Sequence, residues 1–299
     1  MILRVSTEVK QIMQSAPFIT APLALLHQNQ QLRLKALDLV KALYDQVRVI
    51  QQHRGATNGA LAGNPFFESK TRLLAREVNS RFKELNIMME GVSGLHDPLT
   101  WSDINNAWQT VHLQWRQDEL IENFELHSHL VGQLLKYIAG IGHKAEDLIE
   151  TNFHNQALAQ YVFEDLPLFI ELLGQIRALG TSAAVVGVVD EATEMRLRFL
   201  MGQLQKQKIK VKEQAQSFSQ DVIQITSSLI DALLCEPKLE RLFSIINQDI
   251  LTGREIVTTA DEIFTLSTSI IDAHYNVMNE GLRLLRLSMD KRIQAWVLR

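Results

Sequence analysis

Val40-Lys41-Ala42-Leu43-Tyr44-Asp45-Gln46-Val47-Arg48-Val49-Ile50 is the stretch on which the fold turns. Its apolar steps Val40, Leu43, Val47 and Ile50 alternate three and four residues apart, the spacing that lines one side of an α-helix. Leu61 resumes the same seam, and Gly63-Asn64-Pro65 stops it, because glycine takes the left-handed turn and proline cannot continue the ladder. A first helix from about Leu25 to Gly63 follows.

The same period recurs outward along the chain. Val78, Phe82, Leu85 and Met89 mark a second helix, and Asp97-Pro98 suits the start of a third, which carries Ile104, Trp108, Val111 and Trp115. Leu120, Phe124, His127, Val131, Leu134, Ile138 and Ile141 mark a fourth. Short connections between four such helices predict an up-down bundle ending near Ile149, with polar Thr151–Asn155 as the boundary. The second half repeats the plan. A helix from about Leu158 to Val188 is kinked at Pro167, and a long segment from Glu191 to Leu234 bends between Lys212 and Gln220. After the Cys235-Glu236-Pro237 turn, a shorter helix and a last one running to about Trp296 complete it. No strand alternation appears. The reading is an all-α chain of two consecutive up-down four-helix bundles, residues 1–150 and 151–299.

Composition narrows the function classes. The 299 residues are 46% hydrophobic and 21% charged, enough to bury two cores. A net charge of -4 argues against nucleic acid or an anionic membrane as a partner. One cysteine, Cys235, excludes an internal disulfide and a cysteine metal cluster. No run of ~20 apolar residues is expected to span a bilayer, and the first residues do not read as a secretory signal, so the expected location is cytoplasmic. No Glu-x-x-His motif supports a carboxylate-bridged metal pair, no Gly-x-Ser-x-Gly or phosphate loop supports catalysis, and no cofactor is implied. Lys206, Lys208, Lys210 and Lys212 read as a solvated helix face.

Two polar interruptions of the apolar seams carry the functional signal. Extending the first seam past Ile50 puts Arg54 and Thr57 on core positions; extending the fifth past Leu173 does the same for Arg177, Gly180 and Thr181. Each arginine precedes small and hydroxylated residues and then a glycine at the helix end, a short internal repeat. A guanidinium keeps its proton, so a seam arginine must be paired, reach the surface, or meet an anion. Its planar fork matches a trigonal oxyanion, with Thr57 and Asn58 placed to add neutral donors. The other reading is a buried salt bridge, for which Asp45, Glu77, Glu84, Glu125, Glu164, Asp165 and Glu171 are available.

The stretch Val47–Gly63, with Arg54-Gly55 before small polar residues at the end of a long first helix, resembles the signature of the nitrate- and nitrite-sensing (NIT) domain family. That resemblance implies a non-enzymatic sensor built from two helical bundles, which binds nitrate or nitrite through arginines and relays the change to an output module. It implies Arg54 and Arg177 as the anion-binding positions and a further arginine from the second bundle, for which Arg241 is the nearest candidate. His53 stands where the family tends to carry a second basic residue, which implies a weak or pH-dependent affinity. A homodimer and a separate output protein are the expected partners. A helical scaffold that docks partners, with its arginines in structural salt bridges, is the competing reading.

Overall fold

The computed structural model describes residues 20–148, 153–218 and 235–297, and among them no strand occurs. Nine α-helices are described: α1 Thr20–Leu61, α2 Phe66–Glu90, α3 Pro98–Gln114, α4 Leu120–Asp147, α5 Phe153–Gln160, α6 Leu166–Val186, α7 Glu191–Phe218, α8 Glu236–Gln248 and α9 Ala260–Val297. The all-α expectation is met. Parts of the expected Thr151–Asn155 boundary and of the bend near Gln220 lie outside the described residues.

Helix ends follow the local chemistry. At the end of α1, Gly63 adopts φ 93° while its N–H bonds the Ala60 carbonyl and that of Asn64 reaches back to Gly59. This is the Schellman arrangement, open to glycine because a Cβ would be strained there. Gly187, at φ 83°, ends α6 in the same left-handed conformation. Asp97 caps α3, accepting from the Leu99 and Thr100 N–H groups ahead of Pro98.

The helices pack in two sets. α1 lies against α2 and α4, with α3 on α4; α6 lies against α7 and α9, with α8 on α9. The sets meet because α1 also packs on α6 and α9. Its 42 residues reach roughly 60 Å, and both flanks are covered along much of that length. Val40, Leu43, Val47 and Ile50 are buried as the seam predicts, but so are Ala36, Leu37, Leu39, Tyr44 and Val49. A single stripe becomes a wrapped helix. Leu61, expected on the seam, is only half-buried.

The expected kink at Pro167 takes a specific form. A π-helical turn, Tyr161–Asp165, sits between α5 and α6. Proline offers no N–H to the carbonyl four residues back and its ring collides with it; the wider turn relieves both at Phe163. The carbonyls there are not abandoned. Tyr44 of α1 donates its hydroxyl to Val162 O at 2.9 Å, with Phe163 O at 3.4 Å.

One sequence expectation is corrected. The stretch Gln156–Val186 is long and apolar enough to cross a bilayer, but 83% of its most apolar window is buried inside the protein. The lysines of α7 lie largely on a solvated face, as expected, where Lys208 pairs with Glu236 and Glu240, Lys210 with Asp165, and Lys212 with Glu236.

Candidate anion site

α1 and α6 bring Arg54 and Arg177 to the seam between the two helix sets. Arg54 is sealed from solvent and meets a carboxylate from the opposite set. Its Nη1 donates to Glu171 Oε1 at 2.5 Å and to Ser128 Oγ at 3.0 Å, and Nη2 donates to Glu171 Oε2 at 3.2 Å. Glu171 is further satisfied by Gln51 Nε2 at 2.7 Å and Gln175 Nε2 at 2.8 Å. Gly174, one turn along α6, lets the guanidinium lie close to the helix: a Cβ there would stand 3.1 Å from Arg54 Nη2. Arg54 therefore makes a two-pronged buried ion pair, the arrangement in which such a pair best recovers its desolvation cost.

Arg177 is different. It is also buried, yet among the described residues no carboxylate lies within ion-pairing distance of it. Its Nη1 donates to Thr268 Oγ1 of α9 at 2.9 Å, and its guanidinium stands 5.2 Å from the Phe264 ring centre. Burial pushes its pKa down to about 10, and repulsion from Arg54 adds to that; Tyr275, Asp272 and Glu171 act in the other direction. The side chain stays charged near neutral pH. Lys70 of α2 stands over Phe264 as well, at 5.2 Å, so one ring faces two cations. Lys70 is half-buried, and its pKa is lowered by desolvation and then by Arg177. Thr181, one turn beyond Arg177, buries a hydroxyl with no hydrogen-bond partner among the described residues, as does Ser267 beside Thr268.

The remaining sequence candidates lie elsewhere. Thr57 Oγ1 bonds the His53 and Arg54 carbonyls and accepts from Asn123 Nδ2 at 2.8 Å, which also donates to Asn58 Oδ1 at 2.7 Å. Both residues are thus engaged with α4. Arg241 is exposed on α8 and pairs with Glu262 at 2.5 Å.

His53 is built into a neutral pair. His127 Nδ1 lies 2.8 Å from Asn123 O, and a carbonyl only accepts, so that nitrogen carries the proton. His127 Nε2 then accepts from His53 Nδ1 at 2.8 Å, leaving His53 Nε2 bare, buried and unpartnered. Burial drives the His53 pKa well below its usual value, with repulsion from His127 and His112. Burial also takes His127 to about 3, against the pull of the Asn123 carbonyl and with a push from Arg54. Neither imidazole titrates near neutrality, which removes the physical basis expected for a pH-dependent affinity through His53.

Both arginines were legible in the apolar period, but their surroundings were not. Ser128, Gln175, Lys70, Phe264 and Thr268 come from other helices or other faces, and of the partners only Glu171 was among the carboxylates the sequence offered.

No protein-family model and no curated protein matches the sequence. Among solved structures the chain is similar to the NasR transcription antiterminator, with a TM-score of 0.66 over 92% of this chain and 74% of that one, at 16% identity. At that identity the likeness is one of fold.

Proposed function

We propose that this chain is a sensor for nitrate, nitrite or a similar small oxyanion, taken up beside Arg177 where the two helix sets meet. The observation that carries the reading is the charge count at that seam. Arg54 is balanced by Glu171, whereas Arg177 is a buried cation without a carboxylate partner among the described residues, next to half-buried Lys70. A buried unbalanced charge is costly, and a small anion supplies what the protein leaves out. Arg177 retains 6% exposure against none for Arg54, so it is the arginine an arriving anion reaches first. The buried, unpartnered hydroxyl of Thr181 is a further donor one turn away.

The resemblance of the Arg54 segment to nitrate- and nitrite-sensing domains, together with the fold likeness to an antiterminator, favours a regulatory role and these anions in particular. Arg54 is a reserve cation in this reading, released only if Glu171 yields. An anion preferring one placement of the two helix sets would shift their balance and relay that change to an output partner. The salt bridge of Arg54 supports the scaffold reading for that residue alone.

Thermal melting with nitrate, nitrite, sulfate and chloride at equal ionic strength tests the proposal. Nitrate or nitrite at about a hundred times its dissociation constant should stabilise by about 2.7 kcal/mol. Equal shifts from all four salts would contradict selective recognition.

A further inference from the structure

A second candidate ligand site lies at the far end of the first helix set, away from the arginines. A cleft of about 350 Å³ opens between the start of α3 and the second half of α4, within the size range of small-molecule sites. One wall is apolar, formed by Ile104, Tyr137 and Ile141. The Tyr137 ring is held flat by stacking on Trp101, with ring centres 5.6 Å apart and planes 21° apart.

The polar groups are arranged along α4. Lys136, Gly140 and Lys144 line the cleft at successive steps of four, hence on one face of the helix. A Cβ at Gly140 would meet nothing within 4 Å, so the space over it is open. Neither lysine has an ion-pair partner among the described residues. Two buried polar atoms of the lining also lack partners, His96 Nδ1 and Gln133 Oε1. On the α3 side Asp97 is occupied by its cap, and Asp103 lies on the exposed rim. Buried polar atoms left unpaired are uncommon in folded proteins, and these two are free to bond whatever enters the cleft.

From this juxtaposition we infer that the cleft binds a small hydroxylated aromatic acid. Its carboxylate lies over Gly140 between the two lysines, its ring lies against Tyr137 and Ile104, and its hydroxyl donates to Gln133 or Asp103. This site is separate from the anion seam and does not rest on it.

Isothermal titration of the full chain with 4-hydroxybenzoate provides the test. Binding with a Kd on the order of 10⁻⁴ M is expected, with phenol and acetate each at least about tenfold weaker. Gly140→Phe fills the open space on a helical position where glycine is a poor helix former, so its melting temperature should hold while binding is lost. Lys136→Ala combined with Lys144→Ala should weaken binding at least about tenfold. Absence of binding heat at millimolar probe would overturn the inference, as would undiminished affinity in the folded Gly140→Phe protein.

Discussion

At the scale of single residues, two arginines on equivalent seam positions have unequal burdens. Arg54→Ala strands Glu171 in the interior without its counter-charge and should cost ~3–5 kcal/mol in chemical denaturation. Arg177→Ala strands no carboxylate, only the Thr268 hydroxyl that loses its donor. It removes a buried cation together with a ring contact, and the two effects should leave stability within about 1 kcal/mol of the parent. Glu171→Gln keeps the shape of the cluster but frees Arg54 of its balancing charge, so the protein should lose stability while binding nitrate more tightly, as titration calorimetry would show. The sequence showed that both arginines point inward, because a broken apolar period is local information. It left open which one was paired, because Glu171 and Arg54 are 117 residues apart and meet only through packing. His53 and His127 supply a pH prediction. Their folded pKa values lie below the usual histidine value of about 6.5, so their stabilisation is complete above that pH and lost as pH falls below it, where the unfolded chain takes up the protons first. Each contributes a slope of up to about 1.4 kcal/mol per pH unit. Denaturation midpoints between pH 7.5 and 5 should fall accordingly, and His127→Asn should flatten the dependence.

Among the helical elements, most boundaries were legible because caps and stops are written in neighbouring residues. Asp97-Pro98 and Gly63-Asn64-Pro65 act where they stand. The form of the break at Pro167 was not legible, since a proline says that a helix is disturbed without saying how. The answer came from Tyr44 on another helix, whose hydroxyl stabilises the carbonyls of the π turn. Tyr44→Phe removes that donor and should cost ~1–3 kcal/mol. The same turn is pressed from α4: a Cβ at Gly142 would fall 2.7 Å from the Phe163 ring. Gly142→Ala should therefore destabilise by ~1–3 kcal/mol, despite the better helix propensity of alanine. The heptad spacing of Trp101 and Trp108 also gains its reason here. Their indole N–H groups donate to Asn86 and Asn79 of α2, two partners set seven residues apart on the facing helix.

Across the whole molecule, α1 is the element that joins the two helix sets. It packs within the first helix set and against α6 and α9 of the second, joined to them by Arg33, Arg48 and Arg54 and to the π turn by Tyr44. That double duty is why its seam widened into a wrapped surface, and why it buries Arg33, Gln46, Gln51, His53, Arg54, Thr57 and Asn58. A one-dimensional period marks the face a helix buries first; a second packed face appears only as polar residues in unexpected places. We propose that the two helix sets are the two units of one sensor and that an anion at their seam sets how they sit together. The most direct test is isothermal titration of nitrate into the parent and the Arg177→Ala protein, both confirmed folded by their melting transitions. Saturable binding to the parent and none to the variant at millimolar nitrate is the expected result. Binding of equal affinity to both, or to neither, would contradict it.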